Sequence, residues 1–287
     1  GVHGSANVSL LSSNLTLGGA LGSGRGSWNV AARRTYADAF ARAAGTRVFP
    51  YHFFHGQAHL AYTLPTGTRV SVTAYSGDDV FAADLAQVQD STIPGANSVD
   101  LRWGNDAAGV TLRQALGGGR GRGDSTVIEQ RASASQYSAR FDLANGSYAF
   151  LNGVKQTRID GALTRYGTRH LTRVGYETDR YDSHYRVGVP GVGTAEVNKN
   201  QRLTSIALFA EDEWRVNDRL IVNPGARFES VGSNWSVISP RLSMKYFLTP
   251  HMALTAAAGR YAQWLQLSTD ENAPLSLLDY WVASDHP

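Results

Sequence analysis

The chain contains no cysteine, which excludes a disulfide framework and every thiolate metal site, structural zinc included. Lysine is nearly missing as well. Lys155, Lys199 and Lys245 are the only three, so almost all of the positive charge is arginine. An excess of either sign is also lacking, because 27 basic side chains oppose 24 acidic ones in 287 residues, for a formal charge of +3. No long apolar run is present. Nothing approaches the ~18 consecutive apolar residues of a spanning helix, so a helical membrane protein is excluded. Gly1-Val2-His3-Gly4 is not the charged start of a signal peptide. A membrane β-barrel survives these exclusions, because its strands alternate lipid-facing and lumen-facing side chains and keep the mean hydropathy modest, here −0.27.

What is present points to an ordered chain rich in turns. The 30 glycines exceed the ~7% of average usage, and 6 Trp, 13 Tyr and 10 Phe are too many for a disordered polar chain. The recurring period is two. Leu220, Val222, Pro224, Ala226 and Phe228 fall on one face, against Ile221, Asn223, Gly225, Arg227 and Glu229 on the other. The same alternation runs through Gly67 to Tyr75 and through Pro240 to Tyr246.

About twelve such segments can be counted, several much longer than the ~5 to 6 residues of an ordinary strand. Short links with turn chemistry lie at Thr66-Gly67, Gly167-Thr168, Asn217-Asp218 and Thr249-Pro250. Longer ones lie at 37–51, 77–97 and 186–200 and in the tail from Gln263. Short turns at one end and long loops at the other describe an outer-membrane barrel. A soluble β-sandwich or solenoid also alternates, but its strands are shorter. One helical interruption is predicted at Tyr36 to Ala44, with Asp38 as a cap. No domain boundary is visible.

Enzyme chemistry finds no foothold. There is no phosphate loop ending in Gly-Lys, no spaced dinucleotide fingerprint and no Gly-x-Ser-x-Gly elbow, so no catalytic residue and no cofactor is expected. The run Gly117 to Gly123, with Arg120 and Arg122, has no interleaved aromatics and reads as a hairpin turn, not a nucleic-acid contact. His55 and His59 share a strand face while His52 points the other way, and the ~7 Å between alternate residues is wide for one ion. With no carboxylate or thiolate close by in sequence, no metal site is expected. Glu211, Asp212 and Glu213 alternate on one strand instead of opposing one another across a cleft. Beside Trp214 they fit the wet end of a strand at an aromatic girdle.

Phe209 to Glu229, with its acidic-Trp strand end, tight turn and Gly225-Ala226-Arg227-Phe228-Glu229, resembles a hairpin of the TonB-dependent outer-membrane receptors. Ser239-Pro240-Arg241-Leu242, Leu248-Thr249-Pro250 and Ala258-Gly259-Arg260-Tyr261 follow in the family's order. Upstream, Gly26 to Tyr36, Trp103-Gly104-Asn105 and His170 to Glu177 are similar to family strands, so the resemblance spans about Gly19 to Trp281. His55 departs from it, standing where related sequences often carry an acidic residue.

The resemblance implies an all-β fold, an antiparallel transmembrane β-barrel segment of about twelve strands within a barrel of about 22. Residues 1–287 would form one partial barrel domain without the plug and the closing strands. The implied function is the wall of a transporter in the bacterial outer membrane that imports a scarce, bulky nutrient: a siderophore, cobalamin, a glycan or a peptide. Its implied partners are outer-membrane lipid, the nutrient, and TonB with its inner-membrane energy-coupling complex, reached through the plug. Two alternatives stay open: a closed twelve-stranded passive pore or outer-membrane enzyme, and a soluble extracellular binding module. External loops carry recognition on a rigid scaffold, so the longest link, Gly77 to Asn97, is the candidate ligand-binding element, with Asp78, Asp79, Phe81 and Asp84 as its contact residues.

Overall fold

The computed structural model describes residues 1–22, 24–36, 38–39, 43, 45, 51–84, 98–117, 125–143, 148–188, 196–232, 235–268 and 280–283. Thirteen strands form one antiparallel sheet in which each pairs with its neighbours in sequence. They are β1 (Val2–Val8), β2 (Ser12–Leu21), β3 (Gly26–Thr35), β4 (Tyr51–Thr63), β5 (Arg69–Asp84), β6 (Ser98–Leu116), β7 (Ser125–Leu143), β8 (Tyr148–Tyr166), β9 (His170–Gly188), β10 (Glu196–Asn217), β11 (Leu220–Val231), β12 (Trp235–Thr249) and β13 (Met252–Gly259). A separate two-stranded sheet pairs β14 (Leu265–Ser268) with β15 (Tyr280–Ala283). Among the described residues no pairing joins β1 to β13, so the sheet is an open arc and not the closed twelve-stranded ring.

The first expected segment, from residue 5 to 18, divides into two strands. Ser9 turns the chain by donating its N–H to the Ser12 carbonyl at 2.9 Å, while its Oγ accepts the Ser12 N–H at 3.2 Å. Leu10 and Leu11 inside this turn carry the apolar pattern across it, which hides the break in the sequence. Elsewhere the turn chemistry acts where it was read. Gly67, at φ 83°, donates to Leu64 O at 2.9 Å, and the side-chain oxygen of Asn217 accepts the N–H groups of Arg219 and Leu220 at 2.9 and 3.0 Å.

Links at one end of the sheet are mostly short: 22–25, 64–68, 167–169, 218–219 and 250–251, with 117–124 the longest there. The opposite end holds 36–50, 85–97 and 189–195. The last two are shorter than expected because β5, β9 and β10 extend into them. Asp38, Ala39 and Ala43 are in helical conformation, within the stretch expected to be helical. Most of that link, residues 85–97 and most of the Gly117 to Gly123 run lie outside the described residues.

The two faces of the sheet differ chemically. One presents Leu60, Val72, Val110, Leu112, Ile159, Leu163, Val174, Ile206, Leu208, Phe228, Ile238 and Leu242 as exposed apolar side chains in adjoining rows. A soluble module would show polar groups here, so this face is the lipid-facing one. The other, inner face carries the ion-pair networks and the only clustered core among the described residues, where Trp264 packs on Leu203, Val231 and Val237. β15 lies against β8, β9 and β10.

Strand length sets the vertical layout. A spanning strand needs about 9–11 residues, whereas β6 to β9 have 19 each and β10 has 22. Roughly half of each therefore projects beyond the apolar band. On β9 the outward residues change accordingly, from Val174, Tyr176 and Thr178 to Arg180, Asp182, His184 and Arg186.

Candidate functional site

The inner face carries two built regions. The first lies on β3 to β6 toward the end with the long links. Alternation on β4 turns Tyr51, Phe53 and His55 inward together, and the register sets Phe53 opposite Asp79 and Asp79 opposite Trp103. Tyr51 lies 6.2 Å from both Phe53 and Trp103, the latter nearly parallel at 22°. Phe53 stacks on His55 at 4.7 Å, His55 lies 6.1 Å from Tyr75, and the Arg33 guanidinium sits 5.1 Å above Phe53. Gly77 makes the room. A Cβ there would come within 2.7 Å of the His55 ring and 2.5 Å of the Tyr75 oxygen. Asp79 fixes the group from below by accepting the Tyr51 hydroxyl, with His55 Nε2 3.6 Å away.

The four expected contact residues divide. All belong to β5, not to a loop, because β4 and β6 pair with that strand on both sides through the Gly77-Asp78-Asp79 sequence that reads as a turn. Tertiary pairing overrides local turn chemistry there. Asp79 and Phe81 point inward to the aromatic group, whereas Asp78 points outward and pairs with Arg102. Asp84 closes the ladder opposite Ser98, its side chain lying outside the described residues. The histidines take their expected sides, but carboxylates distant in sequence stand near them, Asp79 by His55 and Asp38 by His52 at 3.9 Å. Among the described residues no group of three such side chains is arranged to hold a metal ion. Tyr51, Phe53, Tyr75 and Trp103 were not singled out from the sequence as contact residues, and Trp103 was noted only within a family strand. Tyr51, Phe53 and His55 at alternate positions were the available signal.

The second region is a charged wall on β8 to β11. Arg227 donates to Glu177 at 2.8 Å and to Glu229 at 3.3 Å, while Arg158 pairs with Glu177, with Asp160 at 3.3 Å and with Asp179 at 3.6 Å. Gln156 donates to Asp179 at 2.7 Å. The bond from β11 to β9 crosses β10 at Ala207, whose methyl leaves the path open. A cavity of about 440 Å³ above this wall is lined by Arg131, Arg158, Arg173, Arg227 and Arg241 along with Asp160, Glu177 and Glu211. Partnered carboxylates of this kind neutralise half-buried arginines; they are not poised as acid and base. At the short-turn end, the acidic run is likewise divided between partners: Glu211 with Arg173 at 3.1 Å, Asp212 with His170 at 2.6 Å, and Glu213 with Arg215 at 3.5 Å. Trp214 stacks on His170 at 5.8 Å on the outward side.

A family model described as TonB dependent receptor-like, beta-barrel, matches residues 12–266. The chain belongs to the TonB-dependent receptor β-barrel family. No curated protein matches it. Among solved structures it is similar to FpvA of P. aeruginosa bound to a heterologous ferric pyoverdine, at 14% identity and TM-score 0.59 over 89% of this chain and 41% of that one. It is also similar to the ferric yersiniabactin uptake receptor FyuA from Yersinia pestis, at 13% identity and TM-score 0.61 over 83% and 42%. A third is the siderophore receptor PirA from Pseudomonas aeruginosa, at 12% and 0.59 over 95% and 45%. The chain thus spans less than half the length of these structures, and the likeness is one of fold. As a TonB-dependent receptor barrel it is an outer-membrane protein and not an enzyme. Its aromatic group and charged wall are two regions of the barrel's inner lining.

Proposed function

We propose that this chain is the wall of an energised outer-membrane transporter, and that its cargo is a siderophore-class metal chelate. The observation that carries the substrate class is the inward group of Tyr51, Phe53, His55, Tyr75 and Trp103 at the long-link end, with Asp79 and Phe81 on the same face. Flat π-faces accept a bulky chelate through stacking at little conformational cost. The similar solved structures, a pyoverdine-bound receptor and a siderophore receptor, support the same reading. Asp78, Asp79, Phe81 and Asp84 remain the proposed ligand-contact set, with Asp79 and Phe81 acting inside the barrel. Energy reaches this wall through TonB and a plug domain outside the present chain.

The test is ligand titration of the complete receptor by intrinsic fluorescence, with ferric catecholate and ferric hydroxamate chelates as probes. Phe53→Ala and Trp103→Ala should each weaken binding about tenfold, the ~1.4 kcal/mol of one aromatic contact. Ser243→Ala, remote on the inner face, should leave it unchanged. A parent receptor that binds neither chelate would reject the substrate class, and normal barrel assembly with unaltered affinity in both variants would reject the aromatic group as its site.

A further inference from the structure

We infer that Tyr51, His55, Tyr75 and Asp79 form a binding site for a bare ferric ion on the inner face of β4 and β5. This site does not rest on the chelate reading: ring faces hold a chelate, whereas these donor atoms hold the metal itself. Asp79 is its centre. The register partner of Asp79 is Phe53, so Tyr51 and His55 flank it two residues to either side. One carboxylate oxygen accepts the Tyr51 hydroxyl, and the other lies 3.6 Å from His55 Nε2. Two donors that each bind one ion at about 2.0–2.2 Å can stand up to about 4 Å apart, so His55 and Asp79 already have a separation that one ion spans. Tyr75 enters over Gly77. A Cβ on Gly77 would meet the Tyr75 oxygen at 2.5 Å and His55 Cδ2, the ring carbon bonded to Nε2, at 2.7 Å. The phenol and the imidazole edge therefore converge over a residue that has no side chain.

The donor set selects the metal. Two phenols, one carboxylate and one imidazole contain no sulfur, and hard oxygen donors with one ring nitrogen suit iron over the soft ions that thiolates and thioethers select. Tyrosine oxygen is a ligand of protein-bound iron elsewhere. On binding, each phenol that ligates loses its proton to water. Together with the ionised Asp79, two phenolates balance the charge of a trivalent ion, whereas a divalent ion would leave one negative charge over. Histidine and carboxylate side chains number only two here, and the phenols complete the set. The donors are reachable from the lumen, since the His55 and Asp79 side chains are 37% and 19% exposed. Arg33, opposite His55 on β3, lies over the Phe53 ring, whose π-face engages its charge.

The experiment titrates the complete receptor, in mild detergent, with ferric nitrilotriacetate. It follows the visible phenolate-to-iron charge-transfer band and the iron retained after desalting. The parent should develop the band and retain iron. Tyr51→Phe and Tyr75→Phe, which keep the ring and remove only the oxygen, should each weaken the band and lower the affinity about tenfold or more. His55→Gln should lower the affinity by a similar factor while the band, a property of the phenols, persists at saturation. Tyr181→Phe, which removes an inward phenol of β9 outside the group, should leave both readouts unchanged. Ferric catecholate and hydroxamate binding, measured on the same preparations, separates the two readings: a parent that binds neither chelate but develops the band keeps the ion site and loses the proposed cargo. A parent without the band overturns the inference, as does a band of parental intensity in both tyrosine variants, which would place the iron on other phenols. Preferential retention of zinc over ferric ion in the same titration would overturn the choice of metal.

Discussion

Phe209 lies flat across Gly175 on the inner face, and the contact leaves no space for any other residue at that glycine. A Cβ on Gly175 would stand 2.5 Å from the Phe209 ring and 2.4 Å from the Gly161 carbonyl oxygen. The ring can turn, but the carbonyl belongs to the neighbouring strand and cannot move without breaking the ladder. The same ring carries the Arg173 guanidinium at 5.0 Å, and Arg173 in turn holds Glu211, so moving Phe209 disturbs a charged pair as well. Gly175→Val should therefore destabilise the folded barrel by about 1–3 kcal/mol, the usual cost of overpacking. The loss of heat-resistant folded mobility on an unheated gel, compared across temperature, measures it. A variant as heat-resistant as the parent would show that β8 and β9 can shift apart at this point.

At the scale of strands, alternation decides which substitutions the membrane tolerates. Leu208 lies midway along the apolar stretch of β10, between Ile206 and Ala210 on the outward side, in a row with Tyr176 and Phe228. Leu208→Arg should cost about 2–4 kcal/mol of folding stability in lipid. Ser243→Asn, on the inner face of β12 beside the cavity and Asn223, should cost far less. Urea unfolding in vesicles gives both values, and equal tolerance of the two changes would refute the facing of the sheet. This facing was legible in the sequence, because Leu220 to Glu229 already alternates apolar and charged residues at period two. Pairing across strands was not. Arg227 meets Glu177 fifty residues away over an intervening strand, and nothing in either segment announces that register. The proposed contact residues in β5 were misread as a loop for a related reason: Gly77-Asp78-Asp79 has local turn chemistry, and the partners on both sides keep it extended. Likewise the aromatic group is assembled from β4, β5 and β6, so its members appear in the sequence as scattered ring residues.

For the whole molecule, the open arc leaves two edges that the sheet itself cannot cover. All seven residues of β1 are exposed. At the far edge, Met252 and Leu254 of β13 are exposed at 55% and 62%. Each edge presents a row of backbone donors and acceptors with no partner on one side, which is a template for another strand. The apolar outer face adds a second reason to associate, since it extends across β4 to β13 and greatly exceeds the patches that soluble monomers carry. The clustered core among the described residues of the inner face is too small to offset this, with Trp264 on Leu203, Val231 and Val237 and with Tyr181 and Ala262 beside them. The 287-residue chain prepared by itself, without lipid or detergent, should therefore form oligomers whose size grows with concentration. Light scattering coupled to size-exclusion chromatography over a tenfold concentration range measures this directly. Detergent should suppress association through the apolar face while leaving edge pairing in place, so some oligomer should persist in micelles. A monodisperse monomer in plain buffer, with one cooperative thermal transition, would mean that the two edges find each other and close the sheet, contrary to the strand order described above.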